Sequence, residues 1–300
     1  MTKEEVLVEA LPYIQTYEGK TFVIKFGGAV MVEEHLKHTF AKDVTMLKKL
    51  GINIVVVHGG GKEITKIAEA FGIETKFING LRYTDEKMLE AVLMGLCSLN
   101  KEVSGLITKN SGNAIGLCGT DAGLVKAKKI QSDVDLGFVG EVTSVNTQLL
   151  ELLMKNDMIP VVAPIGMGER GELYNINADS VASAIAVALK AEKLVYLSDI
   201  EGVMVDGVRV PSLNKSQSNT LIAEGKIYGG MIPKVQSAFE AIESGVKKVH
   251  FIDGRIKHSL LLEVFTSDGI GTEITSENEA GRFLSHEIAD ELNGKTQSNN

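Results

Sequence analysis

The sequence predicts an α/β protein built as a three-layer αβα sandwich around a mainly parallel central sheet. Apolar runs of strand length, such as Ile52–Val57 and Lys193–Ser198, alternate along the chain with segments of helical periodicity. Continuous apolar strands are typical of a parallel sheet that helices cover on both faces. Such alternation also predicts right-handed crossovers and ligands at the carboxyl ends of the strands. The 300 residues, 44% of them hydrophobic, suffice for one large domain or two lobes.

The composition limits the classes of partner that the chain is expected to bind. Its net charge is −8 and its sequence pI is near 5.4, which argues against a nucleic-acid partner but not against a local basic pocket. No apolar run reaches the roughly 18 residues that a membrane span requires, so no membrane partner is expected. Cys97 and Cys118 have neither metal-binding nor redox spacing. These features predict a cytoplasmic protein with reduced thiols.

Three glycine-rich segments carry the strongest chemical signal. They are Thr21–Gly28 (TFVIKFGG), Ile54–Gly61 (IVVVHGGG) and Gly229–Val235 (GGMIPKV). Glycine lets backbone N–H groups approach a ligand closely, and a lysine beside such groups can hold phosphate oxygens. The second segment turns into a predicted helix, whose first N–H groups favour an anion. The three segments together predict an enzyme that handles phosphate groups, in which His58 has a structural hydrogen-bonding role.

A predicted β-hairpin at Phe77–Thr84 places an arginine on a rigid turn. Asn79-Gly80 is the turn signal, and Arg82 follows it closely. An arginine is usually a solvated surface charge. A guanidinium held on a hairpin also suits bidentate binding of a carboxylate, and the sequence leaves both roles open.

The segment after this hairpin predicts a helix and then a different kind of sheet. Thr84 or Asp85 is expected to cap the helix. Short β-like segments follow at Ala114–Cys118, Leu124–Lys128 and Phe138–Val142. We expect these three to form a patch of antiparallel strands apart from the parallel sheet.

Tyr174–Ser180 (YNINADS) is the most polar functional candidate in the chain. Asn175 and Asn177 alternate, so they share one face of an extended segment. Either Asn177 or Asp179 can cap the helix that follows, which explains one of these side chains but not all three. Asp199 stands at the carboxyl end of the next predicted strand, where open α/β sheets bind ligands.

Residues 3–18 predict an amphipathic helix that is kinked at Pro12. Its apolar stripe either docks on the same domain or acts as an arm that packs against another subunit. The sequence alone leaves both alternatives open. The residues assigned to the stripe include Val6, Leu7, Leu11 and Ile14.

The order of the motifs resembles one known family. VIKFGG, VVVHGGG, NGLR, YNINAD, LSDIEGV and GGMIPKV follow one another between about Phe22 and Ile274. Together they resemble the N-acetylglutamate kinases of the amino acid kinase family. The resemblance implies the amino acid kinase fold with two lobes, residues 21–192 for the acylated amino acid and for dimerisation and residues 193–300 for ATP. Residues 1–20 would then form an oligomerisation arm.

The activity that the resemblance implies is phosphorylation of the γ-carboxylate of N-acetyl-L-glutamate by MgATP, the second step of arginine biosynthesis. Mg²⁺ would arrive with ATP, without metal ligands from protein side chains. Two alternatives stay open at this point. One is a kinase of a related acylated or carrier-bound amino acid of the aminoadipate type, and the other is a non-catalytic relative that senses amino acids.

The same resemblance assigns roles to individual residues. It implies that Lys25 contacts the transferred phosphoryl group, that Lys234 lies near the nucleotide phosphates and that Asp179 positions both lysines. The residues implied to bind the acylated substrate are Gly60, Gly61, Arg82, Asn175 and Asn177. Those implied to bind the nucleotide or its phosphates are Gly27, Gly28, Ser198, Asp199, Gly230 and Met231.

Two stretches resemble a subset of the family that is hexameric and inhibited by L-arginine. They are the N-terminal helix with Pro12 and the segment His258–Gly271. In that subset such helices join three dimers into a ring, and arginine binds near the seam. The residues here that would form an arginine site are Glu263, Gly269 and Gly271, with the Glu263 carboxylate on the guanidinium. The residues after Thr275 run longer than this subset predicts, and their role is open.

Overall fold

The computed structural model describes residues 3–266 and 269–276, without side-chain detail for 3–7, 9 and 29. The expectation about residues after Thr275 therefore falls almost wholly outside the described part of the chain, as do the side chains of Val6 and Leu7.

The described residues form nine helices and sixteen strands, with short 3₁₀ turns at Gly28–Met31 and Asp121–Gly123. The helices are α1 (Lys3–Tyr17), α2 (Glu34–Lys49), α3 (Gly61–Ala70), α4 (Glu86–Lys109), α5 (Thr147–Lys155), α6 (Ala178–Ala188), α7 (Lys215–Ala223), α8 (Met231–Glu243) and α9 (Ser259–Phe265). The strands are β1 (Thr21–Phe26), β2 (Asn53–His58), β3 (Phe77–Ile78), β4 (Leu81–Arg82), β5 (Ala114–Leu117), β6 (Val125–Lys129), β7 (Gly140–Val145), β8 (Ile159–Val162), β9 (Ile165–Met167), β10 (Leu173–Asn175), β11 (Lys193–Ser198), β12 (Met204–Val205), β13 (Val208–Arg209), β14 (Ser212–Leu213), β15 (Lys248–Asp253) and β16 (Thr272–Ile274).

The central sheet has eight strands in the order β14-β16-β15-β11-β1-β2-β8-β5. Every neighbouring pair is parallel except β15 with β16. Alternate residues of each inner strand face opposite cores: Val23 of β1 packs with α5, α6 and α8, whereas Ile24 packs with α2 and α9. The predicted three-layer sandwich with a mainly parallel sheet is therefore confirmed.

The prediction for Ala114–Cys118 was wrong. Its strand, β5, pairs in parallel with β8 at the edge of the central sheet, so only β6, β7, β9 and β10 form the second sheet. Within that sheet β6 pairs with β7, and β9 with β10, in antiparallel fashion, as expected for the other two segments. A strand of four residues carries too little pattern to show which sheet it joins, because its partner lies more than 40 positions away.

The predictions from local turn and cap signals were confirmed for the hairpin and for the start of α4. β3 and β4 form the predicted hairpin around Asn79 and Gly80, both of which have positive φ. The Asp85 carboxylate accepts a hydrogen bond from the backbone N–H of Met88 and so caps α4. α8 begins at Met231, two residues before the expected Pro233, which suits a proline in the first turn.

α1 extends without interruption through Pro12. Its C-terminal part docks on the same domain, since Tyr13, Ile14 and Tyr17 pack on the core that lies under α2 and α9. Leu11 remains 53% exposed and Val8 72% exposed. No helix in the described part of the chain combines the length and the apolar character that crossing a membrane requires.

Candidate active site

Two lysines from different parts of the chain meet at one carboxylate. Lys25 of β1 places Nζ 2.9 Å from Oδ1 of Asp179, and Lys234 of α8 places Nζ 3.9 Å from Oδ2. Asp179 is in the first turn of α6, where the helix N-terminus favours a negative charge. Two cations share one anion, so the cluster has a surplus positive charge that suits a phosphate group.

The turn after β1 brings the backbone close to this cluster. The Lys25 side chain folds over Gly27, where an added Cβ would lie 2.5 Å from Nζ. Gly28 has a φ of +69°, and an added Cβ there would lie 3.0 Å from Oδ1 of Asp199. Glycine is therefore required at Gly28 for its left-handed conformation, and at Gly27 to leave the lysine in place.

A cleft of about 560 Å³ adjoins the cluster. It lies between the Gly60–Gly61 turn, the β3–β4 hairpin and the start of α6, whose residue Ala178 immediately precedes Asp179. All five residues predicted to bind the acylated substrate line it: Gly60, Gly61, Arg82, Asn175 and Asn177. The structure therefore brings these residues together, next to the lysine cluster.

Arg82 is 7% exposed and is held by neutral groups. Its Nη2 donates to the Gly61 carbonyl at 2.8 Å and to the Thr65 hydroxyl at 3.0 Å, while Nη1 donates to the Thr75 hydroxyl at 3.3 Å. The guanidinium also lies over the Phe77 ring, 4.8 Å from its centre. Burial lowers the pKa of Arg82, and within the described ranges no carboxylate forms an ion pair with it.

The two asparagines divide their hydrogen bonds between the fold and the cleft. Asn177 caps α6, because its Oδ1 accepts from the backbone N–H groups of Asp179 and Ser180. Asn175 donates through Nδ2 to the Thr84 hydroxyl at 3.1 Å. The capping residue is thus Asn177 rather than Asp179, which leaves the Asp179 carboxylate to the lysines.

His58 is fully buried at the end of β2 and has the structural role that the sequence predicts. Nδ1 lies 2.7 Å from the Gly59 carbonyl oxygen, and Nε2 lies 3.0 Å from Nδ2 of Asn100. Burial lowers the pKa of His58 to about 4. The ring is therefore neutral at physiological pH.

The residues expected to bind the nucleotide do not line this cleft. Ser198 ends β11 and is buried, and Asp199 follows it as an exposed residue. Gly230 precedes α8, the helix of Met231 and Lys234, and a Cβ added to Gly230 would meet no atom within 4 Å. Asp199 thus lies beside the Gly28 turn, and the start of α8 is open at Gly230.

A family model described as the amino acid kinase family matches residues 20–253. The chain belongs to the amino acid kinase family. Acetylglutamate kinase from Aquifex aeolicus is 51% identical over 292 residues, which cover 92% of this chain and 98% of that protein. Acetylglutamate kinase from Chlorobaculum tepidum is 52% identical over 275 residues, covering 91% and 96%. These relatives place the chain in the acetylglutamate kinase branch of the family.

Solved structures of related proteins share the architecture. N-acetylglutamate synthase from Neisseria gonorrhoeae, complexed with coenzyme A and N-acetyl-glutamate, superposes with a TM-score of 0.83 at 27% identity. The match covers 92% of this chain and 64% of the synthase chain. Carbamate kinase from Giardia lamblia bound to AMP-PNP, at 17% identity and a TM-score of 0.63, shows the common amino acid kinase fold alone.

This family member has a second cavity, of about 50 Å³, beneath α1 and α9. Glu263, Gly269 and Gly271, the residues expected to form an arginine site, all line it. Glu263 Oε2 accepts from the backbone N–H groups of Ile270 and Gly271, and Oε1 lies 2.7 Å from Nδ1 of His250. These bonds, together with the positive charge that His250 would carry if protonated, hold the pKa of Glu263 below its usual range despite burial.

Sequence reasoning missed the charged side chains that surround Glu263. Lys193 is 3% exposed, with Nζ 2.9 Å from Nε2 of His250 and 3.9 Å from Glu273. Glu273 also pairs with Lys248 at 3.0 Å. Burial lowers the pKa of Lys193 to about 8. The available signal was a polar residue in each of two otherwise apolar strands, Lys193 at the start of β11 and His250 within β15.

The described residues contain no group of three or more His, Cys, Asp or Glu side chains arranged to hold a metal ion.

Proposed function

We propose that the chain transfers a phosphoryl group from MgATP to the γ-carboxylate of N-acetyl-L-glutamate, giving N-acetyl-L-glutamyl 5-phosphate and ADP in arginine biosynthesis. Relatives at about half identity over nearly the whole chain are named acetylglutamate kinase. The observation that carries the proposal is the buried Arg82 guanidinium, which has no carboxylate partner within the described ranges and lies in a cleft beside the Lys25–Asp179–Lys234 cluster.

The chemistry requires no general base. A carboxylate is ionised at pH 7 and is already a nucleophile, so the neutral, buried His58 is compatible with catalysis. The barrier arises from repulsion between two anions and from charge on the transferring phosphoryl group. Lys25 and Lys234 offset this charge, and one such donor is typically worth about 3–4 kcal/mol. Asp179 acts as a positioning residue for both lysines.

The cleft can recognise each part of the acylated amino acid. Arg82 would bind the α-carboxylate, replacing the anion that it lacks within the protein. Asn175 keeps Oδ1 free for the N–H of the acetamido group, because its Nδ2 is used by Thr84. Asn177 keeps Nδ2 free, because its Oδ1 caps α6. The backbone N–H groups of Gly60 and Gly61 would then receive the carboxylate that attacks ATP.

Mg²⁺ would enter with the nucleotide. The ion would be carried mainly by nucleotide phosphates and water. When bound, the ion supplies neutralisation of phosphate charge. Ser198, Asp199, Gly230 and Met231 would bind the nucleotide, with Gly27 and Gly28 beneath the transferring phosphate.

We further propose the division into lobes that this arrangement suggests, with residues 21–192 binding the acylated amino acid and contributing to dimerisation, and residues 193–300 binding ATP. Cys97 and Cys118 are free thiols, which supports a cytoplasmic location.

One assay tests the proposed reaction. Purified protein with MgATP should release ADP with N-acetyl-L-glutamate and far less with glutamate, aspartate, carbamate or N-acetyl-L-aminoadipate. A preference for the aminoadipate derivative would replace the substrate but keep the reaction. No ADP release with any acylated amino acid would support a non-catalytic, amino-acid-sensing role instead.

L-Arginine is the inhibitor that we propose for the second cavity, in a homohexamer built from dimers. The synthase from Neisseria gonorrhoeae has also been solved complexed with coenzyme A and L-arginine, with a TM-score of 0.79 at 26% identity. Glu263 would bind the guanidinium. At about 50 Å³ the cavity is too small for an amino acid, so arginine would have to select a conformation in which α1 and α9 separate.

The assembly is tested on the intact chain and on one that lacks residues 1–18. Light scattering should give a hexamer for the first and a dimer for the second, because α1 would join the dimers through its exposed Val8 and Leu11. Activity in millimolar arginine should fall only for the intact chain. A full-length dimer that arginine does not inhibit would refute both the hexamer and the arginine site.

A further inference from the structure

The turn that opens the substrate cleft has few steric restraints of its own on the direction of its peptide planes. Gly59, Gly60 and Gly61 are consecutive, and glycines on both sides of a peptide allow its plane to turn at little steric cost. Gly60 and Gly61 line the cleft, and their backbone N–H groups have no acceptor in the part of the chain that the structure describes. Binding an anion through these N–H groups requires that their direction be fixed.

His58 fixes the first of these peptide planes. The peptides of the described residues are trans, so the carbonyl of Gly59 and the N–H of Gly60 point in opposite directions. Nδ1 of His58 lies 2.7 Å from the Gly59 carbonyl oxygen. A hydrogen bond donated to this carbonyl holds it against the buried ring, and the Gly60 N–H is therefore turned away from the ring.

Asn100 of α4 decides whether His58 can donate that hydrogen bond. Its Nδ2 lies 2.8 Å from the Val161 carbonyl and 3.4 Å from the Leu117 carbonyl, so the NH₂ side of the amide must face these acceptors. The same Nδ2 lies 3.0 Å from Nε2 of His58, nearer than the Leu117 carbonyl, so the two N–H bonds of the amide go to its two nearest acceptors, the Val161 carbonyl and Nε2. A donor at this position makes Nε2 the acceptor, which leaves the proton of the neutral ring on Nδ1.

Without Asn100 the ring could carry its proton on Nε2. Nδ1 would then present a lone pair to the Gly59 carbonyl oxygen, and the two would repel each other. The turn could relax by rotating the Gly59–Gly60 peptide, which would move the Gly60 N–H out of the cleft. Charging the ring would also satisfy both nitrogens, but burial opposes this, with the pKa of His58 near 4.

We infer that Asn100 is a positioning residue for phosphoryl transfer: by setting the tautomer of His58, it holds the Gly59–Gly60 peptide so that the Gly60 N–H faces the carboxylate that is phosphorylated. This inference rests on the proposed function. Neither Asn100 nor His58 touches the substrate. Their effect reaches the reaction through the direction of one backbone N–H.

A matched pair of variants separates this role from packing. His58→Asn keeps an NH₂ group near the former position of Nδ1, whereas His58→Leu has a similar branched shape and no donor. Loss of one such donor typically lowers kcat about 10²–10³-fold. We expect His58→Leu to lower kcat with N-acetyl-L-glutamate by about a hundredfold, with the KM for ATP unchanged, and His58→Asn to retain at least tenfold more activity.

A spectroscopic measurement on the unaltered protein supports the same test without depending on how a variant folds. In protein labelled with ¹⁵N-histidine, the His58 resonances should show a proton on Nδ1 and none on Nε2 at pH 7. They should not titrate between pH 8 and 5. In Asn100→Ala, Nδ1–H and Nε2–H forms should both appear, with a loss of kcat of about tenfold or more.

These experiments distinguish failure of the proposed function from failure of the positioning inference. If the unaltered protein does not release ADP with N-acetyl-L-glutamate, the proposed function fails, whatever the tautomer. If it is active but His58 carries its proton on Nε2, the positioning inference fails. Equal kcat for His58→Leu and His58→Asn, at equal thermal stability, would also overturn it.

Discussion

The substrate cleft and the second cavity use buried charge in opposite ways. In the cleft, Arg82 is held by two threonine hydroxyls and one carbonyl, and no carboxylate of the described ranges pairs with it. In the second cavity, Lys193 and Lys248 face Glu273, and the neighbouring Glu263 carboxylate accepts hydrogen bonds from the backbone N–H groups of Ile270 and Gly271. Charge is therefore left uncompensated in the first region and neutralised in the second.

The cleft, with its unpaired Arg82, can accept an anionic ligand. The charged side chains of the second cavity already have partners within the protein and need no ligand to balance their charge. An unpaired buried cation costs stability in the free protein, and an anionic ligand recovers that cost on binding. A paired cluster instead holds together the elements that bear it, here β11, β15, β16 and α9. Any ligand of the second cavity must compete with existing ion pairs, whereas a ligand of the cleft supplies a missing one.

The largest expected effect concerns Lys25 and Lys234, the two lysines that meet at Asp179 beside the cleft. Lys25→Ala and Lys234→Ala should each lower kcat by about 10²–10³-fold, because their contacts with the phosphoryl group strengthen in the transition state. Binding of MgATP, measured by calorimetry, should weaken no more than kcat falls. Lys155→Ala, at an exposed lysine ending α5, is the control. Wild-type kcat in either variant would remove that lysine from the catalytic set.

Free energies of unfolding test whether the two regions differ in charge compensation. Glu273→Ala removes the carboxylate facing buried Lys193 and should lower the free energy of unfolding by about 3 kcal/mol, the cost of breaking a buried ion pair. Arg82→Met removes a cation without such a partner, and should change that free energy by less than about 1 kcal/mol. Urea unfolding measures both. A similar loss in the two variants would show that the regions do not differ in charge compensation.

Substrate recognition in the cleft should depend on the shape of the cation as well as its charge. Arg82→Lys keeps the charge but cannot reproduce the planar fork or its contacts with Thr65 and Thr75. The KM for N-acetyl-L-glutamate should rise by about tenfold to a hundredfold, with the KM for ATP nearly constant. Steady-state kinetics, with one substrate varied and the other saturating, measure both KM values. Equal increases in both values would mean that Arg82 is structural.

The smallest effect is expected from pH, through His58. Its folded pKa of about 4 lies below the unfolded value near 6.5, so its contribution to stability is present above pH 6.5 and is lost as the pH falls toward 4. Between pH 7 and 5 this loss is about 2 kcal/mol. The unfolding free energy of His58→Asn should fall by that much less over the same interval. Parallel pH profiles for the two proteins would contradict the assignment.

Short-range signals made part of the site predictable from sequence. The Asn79-Gly80 turn sets the hairpin that positions Arg82, and the glycines after β1 and β2 need backbone conformations or close approaches that few residues permit. Such features depend on a few neighbouring residues. They can therefore be inferred before the fold is known.

The sequence did not predict which strands and side chains far apart along the chain would meet in the fold. Lys193 and His250 meet because β11 and β15 are parallel neighbours, although 57 positions separate them. β5 was expected in the wrong sheet for the same reason. Asn100 gave no signal either, since its importance arises from three acceptors on β2, β5 and β8 that only the folded sheet brings together.

The continuity of the central sheet sets a mechanical limit on catalysis. β1 and β11, which would belong to different lobes, are hydrogen-bonded in register from Phe22–Lys193 to Phe26–Leu197. Closure over two substrates therefore cannot be a free swing about a flexible linker. A twist of the two strands would keep these amide hydrogen bonds intact, and the peptide groups of the core would then stay protected from solvent exchange during closure.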